Sequence, residues 1–368
     1  MKFAVSREDL LKPLQLVAGV VERRQTMPVL SNLCLAVAGQ KLLMTGTDLE
    51  VQLVAEITLT EPAAQDGEIT VPARKLMDIW RALPDSAQVT FSVDEQRATL
   101  KSGRSRFQLA TLPAAEFPTL EEGSAEAAFT LSQAQLRQLI AKTSFSMAQQ
   151  DVRYFLNGML LELTSEHIRS VATDGHRLAM CTLTPGLGTG AQQQVIVPRK
   201  GVLELARLIA DGDDPVALAL GTHHLSAKVG GFSFTTKLID GRFPDYEKVI
   251  PQGSTSVILA DRKMLREGFQ RAAILSNEKY RGVRLVLAED SLTIQANNPE
   301  QEEAEESMAV GYQGAALEIG FNVSYLLEVL GTLEAEEVAI RVSDANSSAV
   351  LEDKDASEAT YVVMPMRL

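Results

Sequence analysis

The chain opens on a short alternating run, Phe3-Ala4-Val5-Ser6, followed by apolar positions at helical spacing, Leu10, Leu14, Val17 and Val21. Alternation with period two predicts a half-buried strand, and recurrence every three or four residues predicts an amphipathic helix. The pattern predicts helices over 6–24, 73–83, 132–143, 199–210, 261–276 and 323–337. Alternating runs follow the helices, as in Leu33 to Val37, Val89 to Val93 and Leu218 to Leu220. Ser6 with Asp9, and Ser132 with Gln135, have the spacing of capping boxes. Pro72 and Pro198 suit a first helical turn. Pro13 breaks the pattern, because proline inside a helix removes a hydrogen bond and costs up to ~3 kcal/mol. A kink or a helix restart is expected there.

The pattern also repeats. Phe3-Ala4-Val5-Ser6 with Leu10 returns 126 residues later as Phe129-Thr130-Leu131-Ser132 with Leu136, and more weakly, after a further 128, as Val257-Ile258-Leu259-Ala260 with Met264. Val71-Pro72 returns as Val197-Pro198, Thr47-Asp48 as Thr173-Asp174 and Phe117-Pro118 as Phe243-Pro244, all at offset 126. Shared offsets of this kind mark structural repeats. Each copy reads as two halves of strand, helix and several strands. The fold class is therefore α+β with much antiparallel sheet, in three repeated domains over 1–121, 122–252 and 253–368. The joints Glu121-Glu122-Gly123-Ser124 and Pro251-Gln252-Gly253-Ser254 are polar and small.

Composition narrows the function. The 368 residues are 45% apolar and 23% charged, which excludes disorder and coiled coil. Two cysteines, Cys34 and Cys181, cannot form a disulfide scaffold and fit a reducing compartment. The N-terminus lacks an apolar signal segment, and no stretch approaches ~18 consecutive apolar residues, so a soluble cytoplasmic protein is expected. The net charge of -13 argues against a protein that grips nucleic acid with its whole surface.

The cations, however, are concentrated. The first five predicted helices hold 16 Lys/Arg and 7 Asp/Glu in 70 residues, against 19 and 41 in the other 298. Charged helix faces are ordinarily just solvated surface. Five helices biased alike at equivalent points of a repeat favour a shared basic surface. The sixth, with four glutamates and no basic residue, departs from it. Head-to-tail repeats curve and can close into a ring. Twelve helices from two chains, ~9–10 Å apart, enclose a hole roughly 26 Å clear, wide enough for a duplex; six leave only ~8 Å.

Several long segments, among them TGTDLE (Thr45 to Glu50), DVRYFLNGML (Asp151 to Leu160), VATDGHRLA (Val171 to Ala179), DGRFPDY (Asp240 to Tyr246), AAILSNEKYRGVRL (Ala272 to Leu285) and the terminal YVVMPMRL, carry a resemblance to the bacterial DNA polymerase III β subunits, the β sliding clamps. SGRSRF, IVPRKG and NNPEQEEAEE add to it, and the likeness covers the whole chain. It implies a non-catalytic processivity factor: a head-to-tail homodimer ring with helices inside and sheets outside. The ring would encircle duplex DNA without sequence preference and tether polymerase subunits, repair polymerases and the clamp loader. Contact with phosphates alone permits sliding.

The resemblance implies sites as well. Arg24 and Gln150 are candidate DNA contacts, and the charge distribution adds Arg74, Arg137, Lys142, Arg199 and Lys200. A groove for short apolar partner peptides would use Leu156, Thr173, Gly175, His176, Arg177 and Leu178. Pro244, Lys248, Val249, Ser348, Val362 and Met364 would complete that subsite. Arg153, Tyr154, Phe155, Asn322, Tyr325, Pro365, Met366 and Arg367 would flank it. Apolar walls with few polar groups, and methionines that repack, suit an adaptable peptide site. Phe155 stands where a tyrosine is common and Lys248 where an arginine is common. At the dimer interface, the acidic run with Glu300, Glu302, Glu303, Glu305 and Glu306 would face Lys75, Arg104 and Arg106 of the other subunit. Ile274 and Leu275 would pack near Phe107 and Leu109. The apolar pairs are expected to supply most of the adhesion, since exposed ion pairs contribute only ~0–1 kcal/mol each.

Catalytic chemistry finds little support. His167, His176, His223 and His224 lack metal-ligand spacing. Asp174-Gly175-His176 reads as a turn without a nucleophile motif. Gly186-Leu187-Gly188-Thr189-Gly190 lacks the Lys-Ser/Thr of a phosphate loop, and no cofactor signature is present. The alternative reading is a repeat-built interaction scaffold that does not encircle DNA. An enzyme would need a convergent catalytic pair, which the sequence does not offer.

Overall fold

The computed structural model describes residues 1–22, 27–120, 123–184, 192–253, 256–356 and 358–367. The chain packs as two compact units, Met1–Arg137 with Lys200–Leu238, and Gln138–Arg199 with Ile239–Leu368. Repeat and packing unit therefore have different bounds, because each unit joins half of the central stretch to a neighbouring repeat.

In the first unit, β1 (Lys2–Ser6), β6 (Gln88–Asp94), β7 (Arg97–Ser102) and β8 (Ser105–Ala110) form one sheet in that order. A second sheet begins with β5 (Gly67–Pro72), β2 (Asn32–Ala38), β3 (Lys41–Thr47) and β4 (Val51–Thr58). It continues through β16 (Phe232–Lys237), β15 (His224–Val229), β14 (Pro215–Leu220) and β9 (Ala127–Ser132). At its middle joint β4 pairs with β16, Val51 opposite Thr236 and Ala55 opposite Phe232. Helix α1 (Arg7–Val20) packs on β3 and β4 and against α2 (Ala73–Ala82).

The second unit mirrors this plan. One sheet runs β13 (Gln193–Pro198), β10 (Gly158–Leu163), β11 (Ile168–Thr173), β12 (Arg177–Leu183). Across the middle it continues as β24 (Ala359–Val363), β23 (Ala349–Asp353), β22 (Glu337–Val342), β17 (Ser256–Asp261). The other is β20 (Glu303–Ala309), β19 (Ser291–Asn297), β18 (Gly282–Ala288), β21 (Leu317–Asn322). Helices α5 (Arg262–Ala272) and α6 (Val323–Thr332) pack together over Phe269, Leu265, Leu326 and Leu330. Helices α3 (Gln133–Thr143) and α4 (Arg199–Leu208) each belong partly to both units. All strand pairings between these elements are antiparallel, so the architecture is the expected α+β one.

Details differ from the sequence reading. Helix α1 is shorter than 6–24. Its buried stripe is Leu10, Leu14, Val17 and Val20, while Val21 is an extended C-cap. Pro13 lies inside a continuous helix without a restart. The apolar stripe packed on the sheet holds both sides of it. Ser6 Oγ accepts from the Asp9 N–H at 3.0 Å, and Ser132 with Gln135 forms a reciprocal box at 3.2 and 3.0 Å. Pro72 and Pro198 stand one place earlier than expected, as the last residues of β5 and β13. Both are outermost strands, where a missing N–H is tolerated. The Gly186–Gly190 loop and both interdomain joints fall wholly or partly outside the described residues. No described helix is long and apolar enough to cross a membrane. Burial pushes the Cys34 thiol to about 11 and that of Cys181 to about 12.

Close packing gives a test. A Cβ on Gly158 would lie 2.6 Å from the Val197 carbonyl and 2.9 Å from Ile196 Cγ2. Backbone cannot yield cheaply, so Gly158→Ala is expected to destabilise by about 1–3 kcal/mol in urea denaturation.

Candidate functional site

A buried apolar cluster lies where β12 meets β24, with half-buried residues along its margin. Leu178 pairs with Val362 and Arg177 with Val363, and the ladder continues past the strand, Met364 N–H donating to the His176 carbonyl at 2.9 Å. Leu178 and Val362 belong to a cluster with Leu160, Val171, Phe243 and Tyr246, flanked by half-buried Phe155, Val249 and Ile250. Leu156 is buried nearby, while Met364, Pro365 and Met366 are half-buried. Met366 N–H donates to the Gly320 carbonyl at 2.9 Å, so the segment is tied at both Met364 and Met366.

The turn at one end of the seam is built by Thr173 and Asp174. Thr173 Oγ1 donates to the Arg177 carbonyl at 2.6 Å and accepts from Gly175 N–H at 3.1 Å. Asp174 Oδ1 accepts from the His176 and Arg177 N–H groups at 2.9 and 3.1 Å. Gly175 has φ +87°, and a Cβ there would meet the Arg153 guanidinium at 2.9 Å.

Arg177 is buried and fully engaged. It donates to Asp174 Oδ2 at 3.2 Å, to the Phe145 carbonyl at 2.8 Å and to Glu328, and it stacks on Tyr325, 4.5 Å from the ring centroid. His176 is exposed and lies parallel to the Tyr325 ring at 6.4 Å. Arg153 forks onto Asp151 at 3.0 and 2.8 Å and reaches the Asp174 carbonyl at 3.1 Å. Those hydrogen bonds hold the Asp151 carboxyl down at about 2. Tyr154 is 57% exposed and meets Phe155 edge-on at 5.7 Å. Asn322 caps α6 through the Ser324 N–H at 2.8 Å. Pro244 and Lys248 are exposed, Lys248 pairing with Asp245 at 2.8 Å, while Ser348 is half-buried and Arg367 exposed. The sequence reading left Phe243 and Tyr246 out of the site, although Phe243 was already visible as the counterpart of Phe117.

The basic residues divide into two kinds. Arg74 and Arg137 are exposed, with Arg137 paired to Asp211 at 2.9 Å, and Gln150 is exposed at φ +54°. Lys142 is not an exposed cation: its side chain is 9% exposed and holds the Thr332 carbonyl at 3.0 Å and Glu334 at 2.9 Å. Lys200 sits between Asp48 and Glu22, the latter at 2.7 Å. Burial works to lower its ammonium value, but the two carboxylates win and raise it. Arg199 donates to the Met147 carbonyl at 3.2 Å. These three support the fold, and for Lys142 this corrects the expectation of a free phosphate contact. Arg24 lies outside the described residues. The sequence reading did not single out Lys263 and Arg266, both exposed on α5. Their helical spacing away from Leu265 and Phe269 was the available signal.

Strands β8 and β20 are outermost in their four-stranded sheets. Arg104, Arg106 and Lys75 are exposed and Phe107 is half-buried, whereas Leu109 is buried within its own unit. Ile274 is 75% exposed and Leu275 half-buried. Glu300, Glu302, Glu303 and Glu305 are exposed, with Glu305 held by Gln295 at 2.9 Å and Glu302 by Asn298 at 2.7 Å. Glu306 is already paired with Arg271 through two bonds of 2.9 Å, which lowers its carboxyl value.

Family models for the N-terminal, central and C-terminal domains of the DNA polymerase III beta subunit match residues 1–121, 130–245 and 247–367. The chain is 60% identical to the beta sliding clamp of Pseudomonas putida and 53% identical to that of Escherichia coli, in each case over 100% of both chains. The crystal structure of the DNA polymerase III subunit beta from Pseudomonas aeruginosa superposes with a TM-score of 0.97 at 60% identity, covering 100% of both chains.

The Asp151 carboxyl is expected to titrate near 2, and to move up towards 3.8 in Arg153→Ala, by carbon-detected NMR. Because the folded value is depressed, the Arg153 contact is complete above the ordinary carboxylate range and is lost only as pH falls through about 2.

Proposed function

Since the chain belongs to the DNA polymerase III beta subunit family, we propose that it is a sliding clamp: a non-catalytic processivity factor that closes round duplex DNA as a homodimer. The likeness over the full length of known clamps carries this reading. The clamp is retained by enclosure, so its contacts to DNA need only be weak and sequence-independent. It tethers polymerase subunits and the clamp loader through short apolar peptides. We place three clamp domains over 1–121, 122–252 and 253–368, and the protein in the cytoplasm.

The β12–β24 seam is our choice for the peptide groove. It combines an apolar floor, a fixed C-terminal segment with Met364 and Met366, and the exposed ring of Tyr154. Arg177, bound on several sides, shapes the groove rather than waiting for a ligand charge. For DNA we retain Arg24, Gln150, Arg74 and Arg137 and add Lys263 and Arg266. For the dimer we propose that β8 of one subunit meets β20 of the next. An open strand edge with Arg104 and Arg106 suits one with Glu303 and Glu305. Since Leu109 is buried within its own unit, Phe107, Ile274 and Leu275 supply the apolar contact.

Enclosure is tested on linear duplexes. The protein loaded on end-blocked DNA should stay bound much longer than on free-ended DNA of the same sequence. Equal loss from both would favour the scaffold reading. Combined Arg74→Gln, Arg137→Gln and Arg266→Gln should weaken retention alike on all sequences and reduce the salt slope by about 3, read by retention at graded salt. Deleting Met364–Leu368 should abolish peptide binding while leaving the dimer mass unchanged in sedimentation.

A further inference from the structure

The segment from Ile239 to Ile250 carries three proposed groove residues, Pro244, Lys248 and Val249, yet its regular structure is a single turn, Tyr246–Lys248. Its main-chain ties include Ile239 to Ile196 at 2.9 Å and Val249 to Tyr246 at 3.0 Å. Side chains must therefore help set its place. Phe243 and Tyr246 insert into the apolar cluster, but packing alone is non-directional. Tyr246 has directional partners: its hydroxyl accepts from Arg169 Nη1 at 2.8 Å and donates to Glu162 Oε1 at 3.2 Å.

Those partners form a row across the sheet. Gln194 on β13 pairs with Glu162 on β10, Glu162 with Arg169 on β11, and Arg169 with Thr182 on β12. Side-chain bonds follow the same line: Gln194 Nε2 to Glu162 at 2.5 Å, Arg169 Nη1 to Glu162 at 3.5 Å and Arg169 Nε to Thr182 at 2.8 Å. His167 Nε2 adds a contact to Glu162 at 3.1 Å. Arg169 also lies 5.9 Å from the Tyr246 ring centroid and 3.6 Å from Glu247. The Glu162 side chain is only 9% exposed, and a carboxylate in such a place is destabilising unless several donors meet it. Here four do.

We propose that Glu162 and Arg169 are positioning residues of the peptide groove, fixing Tyr246 and thereby holding the Pro244 and Val249 wall in its receptive shape. The inference rests on the groove reading above. A pre-formed wall removes an ordering cost from binding, so losing it should appear in peptide affinity before it appears in the fold.

The test titrates a fluorescein-labelled ten-residue apolar peptide from a partner polymerase into the intact dimer. Tyr246→Phe and Arg169→Met should each weaken binding about tenfold, the scale of one hydrogen bond to a charged group. For Tyr246→Phe the thermal midpoint and dimer mass should stay as in the parent, and Glu247→Ala should stay within about twofold in affinity, as an exposed pair should. The Tyr246→Phe loss should largely vanish on a Val249→Ala background, since coupled residues are non-additive and a merely structural effect would add in full. Unchanged affinity in both variants, or full additivity with Val249→Ala, overturns the proposal. If Arg169→Met lowers the thermal midpoint, Tyr246→Phe decides, because it keeps the ring and its packing. A parent dimer that does not bind the peptide overturns the groove reading itself.

Discussion

The structure depends on main-chain ladders that cross repeat boundaries. Half a repeat offers four strands, and its last strand would be left with unpaired N–H and carbonyl groups. Joining β4 to β16, and β12 to β24, turns two such half-sheets into one eight-stranded sheet in each unit. The cost of an open edge is thereby converted into cohesion between repeats. It also creates, at each seam, a place where a turn meets a further segment, Leu120 at the first and Met364 at the second. In the second unit that place is the one proposed above as the peptide groove.

The groove combines adaptable and fixed parts. On the proposed reading, the methionines and exposed Tyr154 would repack around different peptides. Beneath them, the Thr173–Arg177 turn is bonded at nearly every polar atom, and Gly175 supplies the one left-handed position that leaves room for Arg153. Charge is treated in the same way. Several cations that composition would assign to DNA are committed to carboxylates or carbonyls, as Lys142 and Lys200 are. Those left exposed, such as Arg74 and Arg266, can meet phosphates without a fixed geometry, which suits a protein that must move along its ligand.

Much of this was legible in the sequence. The offset of 126 is visible because the repeated turn needs a threonine hydroxyl and an aspartate carboxylate at the same places, Thr47-Asp48 and Thr173-Asp174. Cap residues marked where α1 and α3 begin. The end of α1 was not legible, because Val20 and Val21 are equally apolar and only packing chooses between them. The fate of Lys142 was hidden for another reason: its partners, Thr332 and Glu334, lie about 190 residues away. The polar row through Glu162 and Arg169 was equally invisible, since strand register across four strands must be known before its members become neighbours.

The two seams share a turn but differ in what fills them. At the first, Asp48 accepts from the Glu50 and Val51 N–H groups as Asp174 does from its own neighbours, yet its second oxygen is met by Lys200. Gln52, opposite Thr235 on β16, holds the backbone of Leu120 at 2.8 and 3.4 Å, so Leu120 lies against that seam. On the reading proposed above, each subunit offers clients one seam rather than two. A two-subunit ring would then present two equal places, polymerases and repair factors would take turns at them, and handover becomes a matter of competition rather than of separate addresses.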